Sequence, residues 1–421
     1  MKDILNIKYQ KFTLKNGLEV TLYKNTSFPT VAVNLWYKVG SANEVPGKTG
    51  FAHLFEHMMF QGSKNVPKEK HFAYIQEVGG TLNGSTSMDR TNYYETLPAD
   101  SLELALWLES DRMGFLLDAL TQEKLDNQKD VVMNERRQNY DNQPYGLAWE
   151  ILFSNLYPQN HPYHWPTIGW MEDIERFELN DVKNFFKTYY SPNNASLVIG
   201  GNFDEENAKQ LVEKYFSEIP SNNSIPKIQV PKVTLTENKK IIHQDNVQLP
   251  RIYLAWHSCK GYGKYDAALD ILADILAGSK NSRLHKELVH KKQIAQSVSA
   301  FQYSAKLAGS FFIIATAKPG IDLETLKAEI LAIITDVVQN NIEENELQRA
   351  INSYKSSFIY SLQNLTTLTN QINNYNCNLG KPNSFVYDIE RYEKLNKEDI
   401  VDTAKFYLTQ QFVELNIVPK K

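Results

Sequence analysis

Two histidines spaced four residues apart carry the clearest chemical signal in the chain. In the run His53-Leu54-Phe55-Glu56-His57, an α-helix would place both imidazoles on one face, where their ring nitrogens can converge on one cation. Glu56 follows His53 by three residues and shares that face. A carboxylate beside two imidazoles suits a general base that takes a proton from a water molecule activated by a metal. Zinc fits this donor set best, because it accepts histidine and carboxylate ligands and keeps one position for water.

The competing interpretation is a pair of buried histidines whose ring nitrogens bond to backbone or tyrosine groups. With nine histidines in the chain, a chance H-x-x-E-H run is on the order of a 1% event. Glu56 would also be costly to place on a strongly apolar helix without a partner. Both arguments favour a metal site.

Two histidines do not complete a catalytic zinc site, so a third ligand must come from elsewhere in the chain. Glu135 is the best candidate, because it lies on a predicted helix in the run Val131–Arg137 and follows apolar residues. The alternative is a surface glutamate beside two arginines. The local sequence alone leaves both interpretations open.

Hydrophobic patterns predict the elements that position these residues. An Asn16-Gly17 turn between alternating strand patterns predicts a hairpin over residues 11–23. Residues 219–231 are rich in Pro, Ser and Asn and are predicted to form a linker. The other predicted elements are strands over 30–39 and 195–200, and helices over 51–60, 103–117 and 125–140.

A repeat divides the sequence into two related halves. The run Asp173–Phe177 (DIERF) recurs as Asp388–Tyr392 (DIERY), and each copy is followed by a helical stretch, an aromatic pair and a strand. A chance match of five residues is the alternative, but the matching sequel favours duplication. We therefore predict an N-terminal half, 1–222, with the zinc site, and a related half, 223–421, without a metal motif. Each half should be α+β, with a largely antiparallel sheet and helices packed on one face.

Composition excludes several classes of protein. The 421 residues carry a net charge of −4, from 45 basic and 49 acidic side chains, which does not indicate a nucleic-acid partner. Only Cys259 and Cys377 are present, so a disulfide framework or a cysteine zinc site is not expected. No run approaches the roughly 18 apolar residues of a membrane span. Residues 1–10 lack the features of a secretion signal, which predicts a cytoplasmic protein, or a periplasmic one if a leader was removed.

The motif and its surroundings resemble the pitrilysin/insulinase-type zinc peptidases. H-x-x-E-H is the inverted zincin motif, and in this family a glutamate ligand follows roughly 80 residues later, where this chain has Glu135. The segments Val39–Glu44, Gly79–Ser87 (GGTLNGSTS) and Asn142–Gly146 (NQPYG) also resemble family sequences, the last of them in short-chain bacterial members. The repeat fits too, because family members are built from duplicated α+β halves.

The resemblance implies a metal site with defined roles. His53, His57 and Glu135 would bind one zinc ion per chain, and Glu56 would be the general base. The implied reaction is hydrolysis of a peptide bond by activated water, without a covalent acyl-enzyme. The protein would then be a zinc metalloendopeptidase.

The resemblance also implies a substrate-binding strand. The segment from Thr81 to Thr86 would be an edge strand that binds an extended peptide by strand addition, with Asn83 against the substrate backbone near the metal. Gly84, Ser85 and Thr86 are its other candidate substrate-binding residues. A turn residue is the plainer interpretation of Asn83.

Two departures from the family pattern bear on catalysis. Many members have a second glutamate seven residues before the ligand glutamate, and here Gln128 takes its place as a possible support for a ligand, without its charge. Members also carry an arginine and a tyrosine in the second half that bind substrate and stabilise the oxyanion. Val289 and Gln296 stand at those positions.

The second departure predicts a heterodimer. This chain would be the zinc-bearing subunit, similar to that of mitochondrial processing peptidase, and a homologous zinc-free partner would supply the arginine and tyrosine. A homodimer is the alternative arrangement. A non-catalytic structural or assembly subunit of the same fold is the alternative function, although such members usually lose a ligand or the base.

Overall fold

The chain folds into two compact units. The computed structural model describes residues 5–420. The first unit runs through Arg136 and also contains Trp165–Gln229 and Ile359–Val386, and the second contains Arg137–His164, Val230–Phe358 and the chain from Tyr387 onward. Each unit therefore includes one segment from the opposite part of the sequence. The boundary between two halves at residue 222 was predicted from the sequence repeat, and it stays a prediction.

The first unit is built on a six-stranded sheet in the order β1-β2-β6-β3-β5-β4. Strands β2 and β6 are parallel, and the other neighbours are antiparallel. The sheet is thus largely antiparallel, as predicted. Its strands are β1 Gln10–Thr13, β2 Glu19–Lys24, β3 Thr30–Tyr37, β4 Thr81–Thr86, β5 Thr91–Pro98 and β6 Ala195–Gly201.

The second unit repeats this topology with one strand fewer. Its sheet has the order β7-β11-β8-β10-β9, and β7 and β11 form its parallel pair. Removal of β1 from the first sheet leaves the same order and the same single parallel pair, which confirms the duplicated α+β fold. The strands are β7 Lys239–Asp245, β8 Arg251–Ser258, β9 Ala295–Ser304, β10 Gly309–Ala317 and β11 Val413–Pro419.

Fourteen α-helices, numbered α1 to α14, accompany the sheets and have both ends within residues 5–420. They are α1 Phe51–Met58, α2 Lys70–Glu77, α3 Leu102–Phe115, α4 Gln122–Arg136, α5 Ala148–Leu156, α6 Met171–Glu175, α7 Leu179–Tyr189, α8 Glu205–Phe216, α9 Asp266–Ala277, α10 Leu323–Asn340, α11 Glu344–Ser361, α12 Leu365–Leu379, α13 Phe385–Glu393 and α14 Lys397–Tyr407. No helix among residues 5–420 is both long and apolar enough to cross a membrane.

In each unit, one helix from the opposite part of the chain covers a face of the sheet. In the first unit, α12 packs across β3 and β6, where Trp36 Nε1 donates to Asn370 Oδ1 at 3.0 Å. The larger group of helices, including α1 and α3, packs on the other face. In the second unit, α5 packs on β8 and β11, and Trp149 lies edge-on to Phe312 with ring centroids 5.1 Å apart. Helix α5 lies in the segment Arg137–His164, and α12 lies in the segment Ile359–Val386. Their packing explains why each segment belongs to the unit formed mainly by the opposite part of the sequence.

The predicted elements agree with the structure to within about three residues, except at one helix end. The Asn16-Gly17 hairpin forms, with Gly17 at φ 90°, a value that glycine adopts without strain. The helix predicted over 125–140 instead ends at Arg136 and continues as a π-helical turn over Arg137–Asp141, where Asn142 N donates to Arg137 O at 2.9 Å. The change in hydrogen-bond pattern follows Glu135 directly.

Candidate metal centre

Helix α1 carries the H-x-x-E-H run, and its first turn is capped by a buried carboxylate. Glu44 accepts hydrogen bonds from Gly50 N at 2.9 Å and Ala52 N at 2.8 Å, which satisfies two N–H groups that a helix start leaves unpaired. Burial raises the pKa of Glu44 to about 8, against these two bonds, which favour the carboxylate. Glu44 could not be recognised from the sequence, because a cap seven residues before a helix start has no local signature.

A second carboxylate holds the segment before α1. Asp173 Oδ2 accepts from Thr49 N at 3.0 Å and from Thr49 Oγ1 at 2.7 Å. The chain here is tightly packed, because a Cβ on Gly169 would lie 2.4 Å from Thr49 O. Asp173 belongs to the repeated DIERF run, so this copy of the repeat serves to anchor the histidine helix.

Helix α4 brings Glu135 to the same place. Val132 is fully buried on α4, and Arg136 Nη1 donates to Gly169 O at 2.9 Å. Because Gly169 packs against the start of α1, this bond ties the C-terminal end of α4 to the histidine helix. Sequence reasoning missed Arg136, since its partner is distant in the chain.

The three predicted ligands converge. Glu135 Oε1 lies 3.7 Å from His53 Nε2, and Glu135 Oε2 lies 3.3 Å from His57 Nε2. One donor atom from each residue falls within 4.8 Å of the others. A tetrahedral ion at about 2.0–2.1 Å from each donor separates its ligands by about 3.3–3.4 Å. The observed spacing therefore fits zinc.

The protonation state of His53 also suits a metal ligand. Burial, followed by the neighbouring His57, lowers the pKa of His53 to about 4, although Glu135 acts in the opposite direction. The imidazole is thus neutral near pH 7, with a lone pair for a cation. Side-chain exposure is 14% for His53, 25% for His57 and 33% for Glu135, so the donors remain open on one side. A catalytic metal requires such an open position.

Glu56 points from α1 toward β4 and does not join the three donors. Its Oε2 accepts a hydrogen bond from Thr86 Oγ1 at 2.6 Å. Burial raises the pKa of Glu56, and the Thr86 bond opposes that rise. The structure thus places a single carboxylate beside the donor set and hydrogen-bonds it to the edge strand.

The candidate substrate-binding residues divide between the two faces of β4. Side chains alternate along a strand, so Gly84 and Thr86 face α1, whereas Asn83 and Ser85 face the opposite side. Asn83 Oδ1 accepts from Gly84 N at 2.9 Å, and Ser85 Oγ donates to Asn92 Oδ1 at 2.6 Å. Strand β4 is at the edge of the sheet, as predicted for strand addition. Substrate binding by these four residues stays a prediction.

The other residues noted in the sequence are not among the three donors. Gln128 is buried on α4, and its Nε2 donates to Asn127 Oδ1 at 2.9 Å. Its support of a ligand stays a prediction. In the second unit, Val289 packs on the hydrophobic core and Gln296 is exposed on β9.

A second group of acidic and histidine side chains already contains a counter-charge. His71, Glu95 and Glu109 are buried and lie within reach of one cation. The Arg112 guanidinium makes a two-pronged contact with Glu109, with Nε 2.9 Å from Oε2, and its Nη2 lies 3.5 Å from Glu95. Burial and the neighbouring Glu109 raise the pKa of Glu95 well above its usual value. The Arg112–Glu109 ion pair already neutralises one of the two carboxylates, so we do not assign a metal to this group.

The second unit has a counterpart of α1 that lacks the donors. Helix α9 follows β8 as α1 follows β3, and its sequence is DAALDILADILA. Leu269, Leu272 and Ala273 are buried in the hydrophobic core. Among residues 5–420, the two groups of side chains able to hold a metal both lie in the first unit.

The repeated α+β unit, with an H-x-x-E-H helix and a converging glutamate in one copy only, defines the inverted-zincin class of two-domain proteins. Comparison with known families agrees. Residues 19–166 match the family described as Insulinase (Peptidase family M16), and residues 176–354 match the Peptidase M16 inactive domain. The chain belongs to this family of zinc proteases.

Relatives of known sequence support this assignment over most of the chain. Zinc protease PqqE of Helicobacter pylori is 32% identical over 363 residues, which cover 85% of this chain and 80% of that protein. The mitochondrial-processing peptidase subunit beta of Neurospora crassa is 24% identical, over 98% of this chain and 88% of its own. A crystal structure of a protease from Helicobacter pylori superposes with a TM-score of 0.91 at 29% identity, covering 98% of this chain and 100% of that one.

Proposed function

We propose that this protein is the zinc-bearing subunit of an endopeptidase that hydrolyses extended peptides or unfolded segments. The observation that carries the proposal is the convergence of His53, His57 and Glu135, with Glu56 beside them on the histidine helix. The names of the relatives support it, because two thirds or more of each matches this chain and they include a zinc protease.

His53, His57 and Glu135 would hold one zinc ion through neutral imidazoles and a carboxylate. When bound, zinc supplies Lewis acidity, which lowers the pKa of a water molecule toward about 7 and polarises a carbonyl group. The partial exposure of the three donors leaves one side of the site open for water and substrate.

Glu56 would move the proton during hydrolysis. Its carboxylate accepts a proton from the attacking water and then delivers it to the leaving amine, so no base is consumed over the cycle. Its position on the same helix as His53 and His57 brings it beside the proposed metal site, where this proton transfer would take place. No side chain needs to become covalently attached to the substrate.

The substrate would bind along β4 by strand addition. The outer edge of β4 presents main-chain groups that pair with any extended peptide, which gives affinity with weak sequence preference. Most backbone N–H and C=O groups of a folded protein are already paired, so a folded protein seldom offers a free extended segment. We therefore expect peptides and unfolded segments as substrates.

A homologous partner would complete the site. The positions at which the family carries a substrate-binding arginine and tyrosine hold Val289, packed on the core, and Gln296, exposed on β9. The Val289 side chain has no hydrogen-bond donor, and the Gln296 amide carries no charge, so the two do not reproduce an arginine and tyrosine pair. One relative is named as a subunit of mitochondrial-processing peptidase, which supports a heterodimer over a homodimer.

The test is peptide hydrolysis by the purified chain, alone and with its co-purified partner, against a pool of quenched fluorescent peptides. We expect weak cleavage by the chain alone, strong cleavage with the partner, and loss of both with a zinc chelator. Full activity of the chain alone would overturn the heterodimer and keep the peptidase. Absence of zinc and of cleavage under both conditions would favour a structural subunit.

A further inference from the structure

The hydroxyl group of Thr86 donates its one hydrogen to the general-base candidate, Glu56. Thr86 Oγ1 donates to Glu56 Oε2 at 2.6 Å, a short distance typical of a bond to a charged oxygen. Thr86 is the last residue of β4, the strand on which the peptide would lie. The strand and the base are thus joined by a direct side-chain bond.

The backbone around Thr86 is held in place by contacts with β5 and with the segment that leads into α1. Thr86 pairs with Thr91 on β5, and Thr91 Oγ1 donates to Val39 O at 3.0 Å. Just past the end of β4, Met88 O accepts from Ala42 N at 2.8 Å, which ties the strand to the segment that leads into α1. A threonine side chain also has few rotamers, because it is β-branched. The hydroxyl therefore has a defined position relative to α1.

Gly84 leaves the space that the carboxylate occupies. A Cβ at residue 84 would lie 3.0 Å from Glu56 Cγ and 3.2 Å from Glu56 Oε1. Both distances are shorter than an ordinary van der Waals contact between nonbonded atoms. The Glu56 side chain is therefore bounded by two residues of one strand, with Gly84 giving room and Thr86 giving the hydrogen bond.

We propose that Thr86 is a positioning residue that orients the Glu56 carboxylate, with Gly84 as the space it requires. The proposal deepens and rests on the proposed peptidase function. A glutamate carboxylate rotates broadly about its last torsion, and the Thr86 bond to Oε2 fixes that rotation. Oε1 is then the oxygen that takes the proton from water and returns it to the amine. Small errors in such a position lower the rate strongly.

The experiment compares Thr86→Val, Thr86→Ser and the wild-type chain, each with its partner and assayed on one quenched peptide that the wild type cleaves. Thr86→Val should lower kcat about tenfold or more, with KM and bound zinc unchanged, because one hydrogen bond to a charged group is lost. Thr86→Ser should restore kcat to within about threefold. Thr96→Val is the matched control, because Thr96 bonds to Thr366 Oγ1 at 2.8 Å on the other face of the sheet.

A second readout does not depend on activity. In crystals of metal-free Thr86→Val, the Glu56 carboxylate should leave the position it has in the wild type, and in Thr86→Ser it should stay. Unchanged kcat in Thr86→Val, a change confined to KM, or an unmoved carboxylate would overturn the positioning role. Glu56→Gln separates the two proposals. If it is inactive while Thr86→Val is fully active, only the positioning role fails, whereas an active Glu56→Gln contradicts the peptidase mechanism itself.

Discussion

Glu135 Oε2 lies 3.3 Å from His57 Nε2, although the two residues belong to different helices that are far apart in the sequence. Arg136, the next residue, explains the placement, because its bond to Gly169 fixes the end of α4 against the start of α1. The scaffold therefore holds Glu135 close to the histidine helix. A prearranged donor set binds a metal without the cost of ordering its ligands.

Replacement of the proposed carboxylate ligand should weaken zinc binding selectively. We expect Glu135→Gln to lower zinc affinity by a factor of about 100 or more, since changes even to groups behind the ligands cost 10–100-fold. The measurement is competition with a zinc-sensitive dye. Glu123→Gln is the control, because Glu123 is exposed at the other end of the same helix. Equal affinities for the two variants would remove Glu135 from the metal site.

The anchor of the histidine helix should contribute to stability. Asp173→Ala leaves the backbone N–H of Thr49 without its acceptor in a buried place, and should lower the free energy of unfolding by about 1–3 kcal/mol. Urea unfolding of the metal-free protein, followed by fluorescence, measures this change. Asp181→Ala removes an ion pair with the half-exposed Lys48 and should cost less than about 1 kcal/mol. A larger loss in Asp181→Ala would contradict this ranking.

The buried Arg112 should be essential to the first unit. Arg112→Met leaves the Glu109 carboxylate buried and uncompensated, which should destabilise the protein by about 3–5 kcal/mol. The double variant Arg112→Met/Glu109→Met removes both charges and should recover a large part of that loss. The thermal unfolding midpoints of the wild type, Arg112→Met and the double variant measure both the loss and the recovery. A double variant less stable than the single one would show that the pair itself, and not charge compensation, is the main contribution.

Glu19 should make stability depend on pH in the acid range. Burial alone would raise the pKa of Glu19, but hydrogen bonds from Lys11 and Lys38, each at 2.8 Å, outweigh it and lower the pKa to about 2. A lowered pKa in the folded state means that the contribution is complete above the unfolded value of about 4.3 and is lost as pH falls toward 2.

Glu19→Gln should therefore reduce stability by about 1–2 kcal/mol at pH 7, and the difference from the wild type should shrink below about pH 4. Urea midpoints measured from pH 7 to pH 3 test this. Glu103→Gln, which breaks an exposed pair with Lys214, should differ little from the wild type at any pH. A Glu19→Gln difference that stays constant with pH would contradict the assigned cause.

The parts of the site that were predictable are those encoded within one helix. The spacing of His53, Glu56 and His57 defines a helix face by itself, and Glu135 required the family resemblance because its own surroundings are ambiguous. Glu44, Asp173 and Arg136 could not be predicted, since each acts through a partner brought close only by tertiary packing. The orientation of Thr86 depends on the pairing of β4 with β5, which the sequence of β4 does not contain.

For the fold, too, only features with local sequence signals could be predicted. The repeat and the hairpin at Asn16-Gly17 were predictable, because repeated runs and turn residues are local signals. The exchange of α5 and α12 between the units was not, because each helix packs on a sheet formed from the opposite part of the sequence. The π-helical turn after Arg136 also has no counterpart in the hydrophobic pattern.

The role of Glu56 is tested most directly by a paired measurement of bound zinc and peptide hydrolysis on Glu56→Gln and the wild type, each with its partner. We expect one zinc per chain in both proteins, and hydrolysis reduced to background only in Glu56→Gln. Hydrolysis that persists in Glu56→Gln with zinc still bound would contradict the role of Glu56 as the general base.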